Sequence, residues 1–155
     1  MEKKTRRTSS LPAKKSLGQN FLISPRVVEA IVTAGEIKEK ELILEVGPGK
    51  GVLTRALIRA GGYVKAIEKD NRLMPLLTQE FRNEIAQGKL ELFHRDVLEI
   101  TDSEIPNIVG TSYKVIANIP YYITAALIIN LLSSKYKPTM MVIMVQKEIA
   151  TRKLP

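Results

Sequence analysis

One short stretch, EVGPGKGVLT (45–54), sets a carboxylate and three alternate glycines, Glu45, Gly47, Gly49 and Gly51, ahead of a helix-like run. Glycines so spaced make a tight turn in which no Cβ keeps a ligand away from the backbone. A phosphate-binding loop would need G-x-x-x-x-G-K-[ST], but Lys50 lies between Gly49 and Gly51. A dinucleotide fingerprint would need a third glycine where Val52 stands. A nucleoside with a zwitterionic amino-acid tail fits better, and S-adenosylmethionine is such a molecule. A plain structural turn is the alternative reading. Two carboxylates extend the pattern. Glu68 follows Gly47 by 21 residues, where a strand-end carboxylate can accept hydrogen bonds from both ribose hydroxyls; otherwise it is an ordinary surface Glu. Asp96 can accept from an adenine amino group, or it can cap the helix-like VLEI that follows.

NIPYY (118–122) offers a different chemistry. The exocyclic amine of adenine is a poor nucleophile because its lone pair is delocalised into the ring. A side-chain amide oxygen and a backbone carbonyl can both accept its N–H bonds and favour a more tetrahedral nitrogen. Asn118 and the Ile119 carbonyl can supply these, Pro120 stiffens the turn, and Tyr121 or Tyr122 can stack on the base. No Cys or His nucleophile is needed when the methyl donor is a sulfonium, only close and aligned approach. A structural turn would account for Pro120, but it would not call for the Asn and the paired Tyr.

These residues need strands that end at one edge. The pattern predicts a helix over 23–35, with Ser24 as N-cap, Pro25 at its first position and Gly35 closing it. Strands are expected at LILEV (42–46), YVKAIE (63–68), KLELFHRD (89–96), YKVIAN (113–118) and TMMVIMVQ (139–146). Helices are expected over 51–62, over 70–86 (or from Pro75 if the first turn is irregular) and over 124–134. Strands that alternate with helices imply right-handed crossovers and a mostly parallel sheet with helices on both faces, an α/β Rossmann-like arrangement.

The chain has 155 residues, no cysteine and 45% hydrophobic residues, which is room for one globular domain. The lack of cysteine excludes disulfides and thiolate metal sites and suits a reducing cytoplasm. No metal constellation is legible, and His94, the one histidine, reads as a packing or surface residue rather than a base. No apolar run is long enough to span a bilayer, and the basic N-terminus lacks the apolar segment of a secretory signal. A net charge of +8 points to a polyanionic partner. Lys3, Lys4, Arg6, Arg7, Lys14 and Lys15 crowd the N-terminus against Glu2 alone. This is either a solvated tail or an arm that contacts RNA phosphates.

GQNFL (18–22), EVGPGKGVLT (45–54), IEKD (67–70), NIPYYIT (118–124) and MVQKEIATR (144–152) together resemble the KsgA-type ribosomal RNA adenine dimethyltransferases, to which the macrolide-resistance Erm enzymes are related. The resemblance covers residue 14 to the end. It implies an S-adenosylmethionine-dependent methyltransferase that modifies the N6 amines of two adjacent adenines in small-subunit ribosomal RNA during ribosome maturation. It further implies that Asn20 and Leu22 help hold the methionine part of the cofactor, with Gly47 and Gly49 in the loop, Glu68 on ribose, Asp96 on adenine, Asn118 at the methyl-transfer site and Tyr121 stacking the target base. Many members have Asn where this chain has Tyr122. The partners implied are ribosomal RNA and the immature small subunit, met by a cytoplasmic monomer. The family's length leads to the expectation of a flexible basic arm (1–13) and the N-terminal part of a catalytic domain (14–155). The last strands of the sheet, an edge hairpin, and a helical RNA-contacting domain are expected to be missing. An Erm-type large-subunit enzyme and a non-catalytic RNA-binding assembly factor stand as alternatives. A nicotinamide oxidoreductase is disfavoured by Val52 and NIPYY.

Overall fold

The computed structural model describes residues 11–13, 24–119 and 121–145, Tyr121 through its backbone alone. Helix α1 (Pro25–Gly35) opens with Ser24, whose side chain accepts from the Val27 N–H, and with Pro25 in its first turn. Gly35 ends it for a reason of packing: a Cβ there would lie 2.7 Å from Ile116 Cδ1. The left-handed residue that terminates the helix is Glu36 (φ 46).

Strands β1 (Leu42–Val46), β2 (Tyr63–Glu68), β3 (Leu90–His94), β4 (Lys114–Asn118) and β5 (Met140–Met144) form one sheet in the order β3-β2-β1-β4-β5, with every neighbouring pair parallel. Alternation along the strands divides two cores. Ile43, Val64, Ala66 and Ile116 face one layer, against α1, α2 (Val52–Arg59) and α3 (Leu73–Glu80). Leu44, Val46, Ile67, Val115 and Ala117 face the other, against α5 (Ile105–Val109) and α6 (Thr124–Ser133). The expected doubly covered parallel sheet is therefore present.

The details differ from the sequence reading in three places. The helix expected over 70–86 breaks at Phe81 into α3 and α4 (Arg82–Ala86). Phe81 is buried, and its ring packs over Gly51 while Arg55 lies 4.6 Å from the ring centroid. The break thus follows an aromatic anchor that turns into the core. The short helix α5 and the single turns Asp102–Glu104 and Tyr121–Ile123 have no counterpart in the sequence reading, whereas the turn Val97–Glu99 is the helix-like VLEI that Asp96 can cap. Strand β3 is shorter than KLELFHRD because Asp96 has already turned to cap the segment Val97–Glu99. Among the described residues no helix is long and apolar enough to cross a membrane.

Gly51 tolerates no side chain without cost. Its φ is +85, and a Cβ would meet Phe81 Cε2 at 2.4 Å. Gly51→Ala combines left-handed strain with a clash against a buried ring. It should lower unfolding free energy by about 2–4 kcal/mol, read as a drop in the urea midpoint. An unchanged midpoint would mean that Phe81 can move aside.

Candidate functional site

In a sheet ordered β3-β2-β1-β4-β5 the chain reverses its direction of winding between β1 and β4. Ligands of open α/β sheets bind beyond the carboxyl ends of the strands at that point. The register fixes what lies there. Val46 pairs with Ile67, so Gly47 comes level with Glu68, and Glu68 itself pairs with His94. Leu44 pairs with Val115, which brings Gly47 level with Asn118, and Asn118 pairs with Met144. Gly47, Glu68 and Asn118 thus form one row at the same edge of three adjacent strands, although the β1–β4 pairing itself ends at Leu44 and Val115.

The glycine turn is held from both sides. The Gly47 N–H donates to the Ile67 carbonyl at 2.9 Å, and the Gly51 N–H to the Pro48 carbonyl at 2.9 Å. Gly47 and Gly49 are left-handed, with φ of 68° and 59°. This leaves the turn without side chains on the path of an approaching ligand.

Glu68 is buried and not the ordinary surface residue that sequence allowed. Its Oε2 accepts from the Gly49 N–H at 3.2 Å and its Oε1 from the Asp70 N–H at 2.8 Å. The carboxylate therefore ties the glycine turn to the end of β2. Burial pushes its pKa above the usual carboxylate value, partly offset by the backbone N–H groups of Asp70 and Gly49. A carboxylate has about four acceptor positions, so these bonds leave capacity for a ligand.

Asp96 makes the cap that its place before VLEI allows, and it holds a lysine as well. Its Oδ1 accepts from the Leu98 N–H at 3.0 Å, as a cap, and its Oδ2 accepts from Lys69 Nζ at 2.9 Å. Partial burial would raise its pKa, but Lys69 and the Leu98 N–H outweigh it and hold the carboxyl below its ordinary value. His94 sits exposed, with Nε2 3.2 Å from the Lys69 carbonyl, in keeping with a surface residue.

Asn118 ends β4, half-buried, and Ile119 follows it buried, its side chain in the core on the α5–α6 side. Tyr122 is 45% exposed. Asn20, Leu22 and Pro120 lie outside the described residues, as do the ring of Tyr121 and most of the MVQKEIATR segment.

Two groups beside the row have no role assigned from the sequence. Glu45 is fully buried in β1 and accepts from Thr54 Oγ1 at 2.6 Å, which joins the strand before the glycine turn to the helix after it. The signal was available: one acid in an otherwise apolar strand, with a Thr one helical turn past the glycines. Asp70, also buried, takes the guanidinium of Arg72 at 2.7 Å.

A parallel sheet of this order, with a glycine turn after β1 and carboxylates after β2 and β3, is the fold of S-adenosylmethionine-dependent methyltransferases. The chain belongs to the ribosomal RNA adenine dimethylase family, whose model matches residues 11–155. It is 43% identical over 141 residues to a protein named ribosomal RNA small subunit methyltransferase A from Dehalococcoides mccartyi, covering 91% of this chain. The chain spans about half the length of the curated relatives it matches, 47% in that case. Among solved structures it resembles the 23S rRNA methyltransferase ErmE, at 28% identity and a TM-score of 0.69 over 84% of this chain and 50% of that one. It is equally like a dimethyladenosine transferase from Plasmodium falciparum, at 29% identity and a TM-score of 0.68 over 84% of this chain and 45% of that one.

Proposed function

We propose that the protein transfers methyl groups from S-adenosylmethionine to the N6 amines of adenines, two adjacent ones, in small-subunit ribosomal RNA. The observation that carries this reading is the row Gly47–Glu68–Asn118 at the switch point. On this reading a nucleoside site and a transfer site would lie side by side. The names of the 43%-identical relatives support a small-subunit target, and the likeness to ErmE fits a related enzyme on the other subunit.

The donor set suits the cofactor. Glu68 would take the ribose hydroxyls through its remaining lone pairs, Asp96 would take the adenine amine, and the backbone of Gly47 and Gly49 would lie against the nucleoside and its tail. Asn20 and Leu22 would complete the hold on the methionine end. When bound, the cofactor supplies an electrophilic methyl on a sulfonium. Asn118 would accept one N–H of the target amine through its amide oxygen, and the Ile119 carbonyl would accept the other. Both bonds strengthen as positive charge develops on nitrogen. Pro120 would keep these acceptors in one geometry, and Tyr121 would stack on the base. The basic stretch 1–13 is read as an arm that contacts phosphate and 14–155 as part of the catalytic domain. The immature small subunit would be the substrate particle, met by a monomer in the cytoplasm.

The test is transfer of labelled methyl to undermethylated small-subunit particles, with large-subunit particles in parallel. Label on the small subunit alone is expected, and label on the large subunit alone would favour the Erm-type reading. Glu68→Ala should weaken S-adenosylhomocysteine binding by roughly 1–3 kcal/mol in a calorimetric titration. Unchanged affinity would remove Glu68 from the site.

A further inference from the structure

Asp96 has two carboxylate oxygens and two different partners. Leu98 takes Oδ1 through its backbone N–H, a bond that any side chain at 98 would make. Lys69 takes Oδ2 through its ammonium. The first bond belongs to the turn Val97–Glu99 and stays as long as that turn is folded. The second is made by a flexible side chain that is 51% exposed, so it can be given up. An amine donor arriving at Oδ2 must share that oxygen with an ammonium or displace it.

We propose that Lys69 is a displaceable occupant of the adenine-accepting oxygen of Asp96, and so limits how tightly an adenine nucleoside is held. This rests on the reading that Asp96 takes the adenine amine. Lys69 is not needed to orient the carboxylate, because Leu98 already fixes it as a cap. Nor is it needed to ionise it, because a carboxyl at a protein surface is ionised at neutral pH without help. What Lys69 adds is competition. An exposed ion pair of this kind is weak, so the ligand can displace it at small cost. Weak retention suits a transferase that must exchange a spent nucleoside for a fresh one in each round.

The experiment is a calorimetric titration of the intact protein and its Lys69→Met variant with two ligands. One is S-adenosylhomocysteine. The other is its purine counterpart with hydrogen in place of the 6-amino group. Both are net neutral, so loss of the lysine charge acts on neither through net charge. Methionine keeps the unbranched stem of the lysine and removes its ammonium. S-adenosylhomocysteine should bind the variant about two- to fivefold more tightly, and the amine-free ligand should bind both proteins alike. An equal or weaker affinity of the variant for S-adenosylhomocysteine, while the unaltered protein still prefers the amine, would overturn the competition and leave Asp96 in its role. Equal tightening of both ligands would also overturn it. If the unaltered protein does not distinguish the two ligands, the assignment of Asp96 to the amine fails, and the proposal fails with it.

Discussion

Asn118→Ala is expected to slow single-turnover methyl transfer by about 10²- to 10³-fold, the usual loss when one preorganised hydrogen-bonding partner of a developing charge is removed. Cofactor affinity should fall far less. The reason is positional. Asn118 is the last residue of β4, at the strand edge that carries the glycine turn and three residues before the turn Tyr121–Ile123. If its oxygen accepts from the target amine chiefly as that nitrogen pyramidalises, the bond is strongest in the transition state, and its loss appears in turnover. The measurement is labelled-methyl transfer to undermethylated particles at saturating cofactor, beside a titration with S-adenosylhomocysteine. A variant that loses affinity and turnover in equal measure would show Asn118 to be a cofactor-holding residue only.

How far the sequence reaches depends on whether the deciding interaction is local. Strand β2 is read to the residue, because YVKAIE is bounded by a glycine pair and by an acid at its end. The row Gly47–Glu68–Asn118 is legible for a similar reason: motifs at successive strand ends must meet at one edge once the sheet is parallel. The break at Phe81 is not legible. It depends on a ring finding the space above Gly51 across 30 positions of chain, and local pattern carries no trace of that. The two partners of Asp96 were half legible. A cap two residues ahead of Leu98 is a short-range feature, whereas the Lys69 bond requires knowing that β2 and β3 are neighbours with Glu68 opposite His94. Glu45 shows the opposite failure. It belongs to the glycine motif, yet its burial and its Thr54 partner follow from how α2 packs beneath the motif.

Stability should fall as pH rises from 5 to 9 through the titration of Glu45, and Glu45→Gln should remove that part of the fall. Burial is the main cause: Glu45 shares its face of the sheet with Ile43, inside the layer formed with α1 and α2. Desolvation pushes its pKa from 4.5 to about 8, the nearby Glu68 carboxylate adds to the push, and the Thr54 hydroxyl opposes it. The folded chain therefore keeps a proton that the unfolded chain gives up. The contribution to stability is complete below pH 4.5 and disappears as pH rises through about 8. Over that interval the loss is on the order of a few kcal/mol, large beside the total stability of a small domain. Glu68 shifts in the same direction, while Asp96 and Glu104 are lowered and act the other way, losing their contribution as pH falls. The comparison with Glu45→Gln separates Glu45 from all of them. Glutamine keeps an acceptor for the Thr54 hydroxyl and cannot ionise. Urea midpoints of both proteins at pH 5 and pH 9 are the measurement. The glutamine variant should be no more stable than the unaltered protein at pH 5 and clearly more stable at pH 9. Parallel changes in the two midpoints would mean that Glu45 does not titrate in this range, and that the carboxylate is ionised beneath the glycine turn at neutral pH.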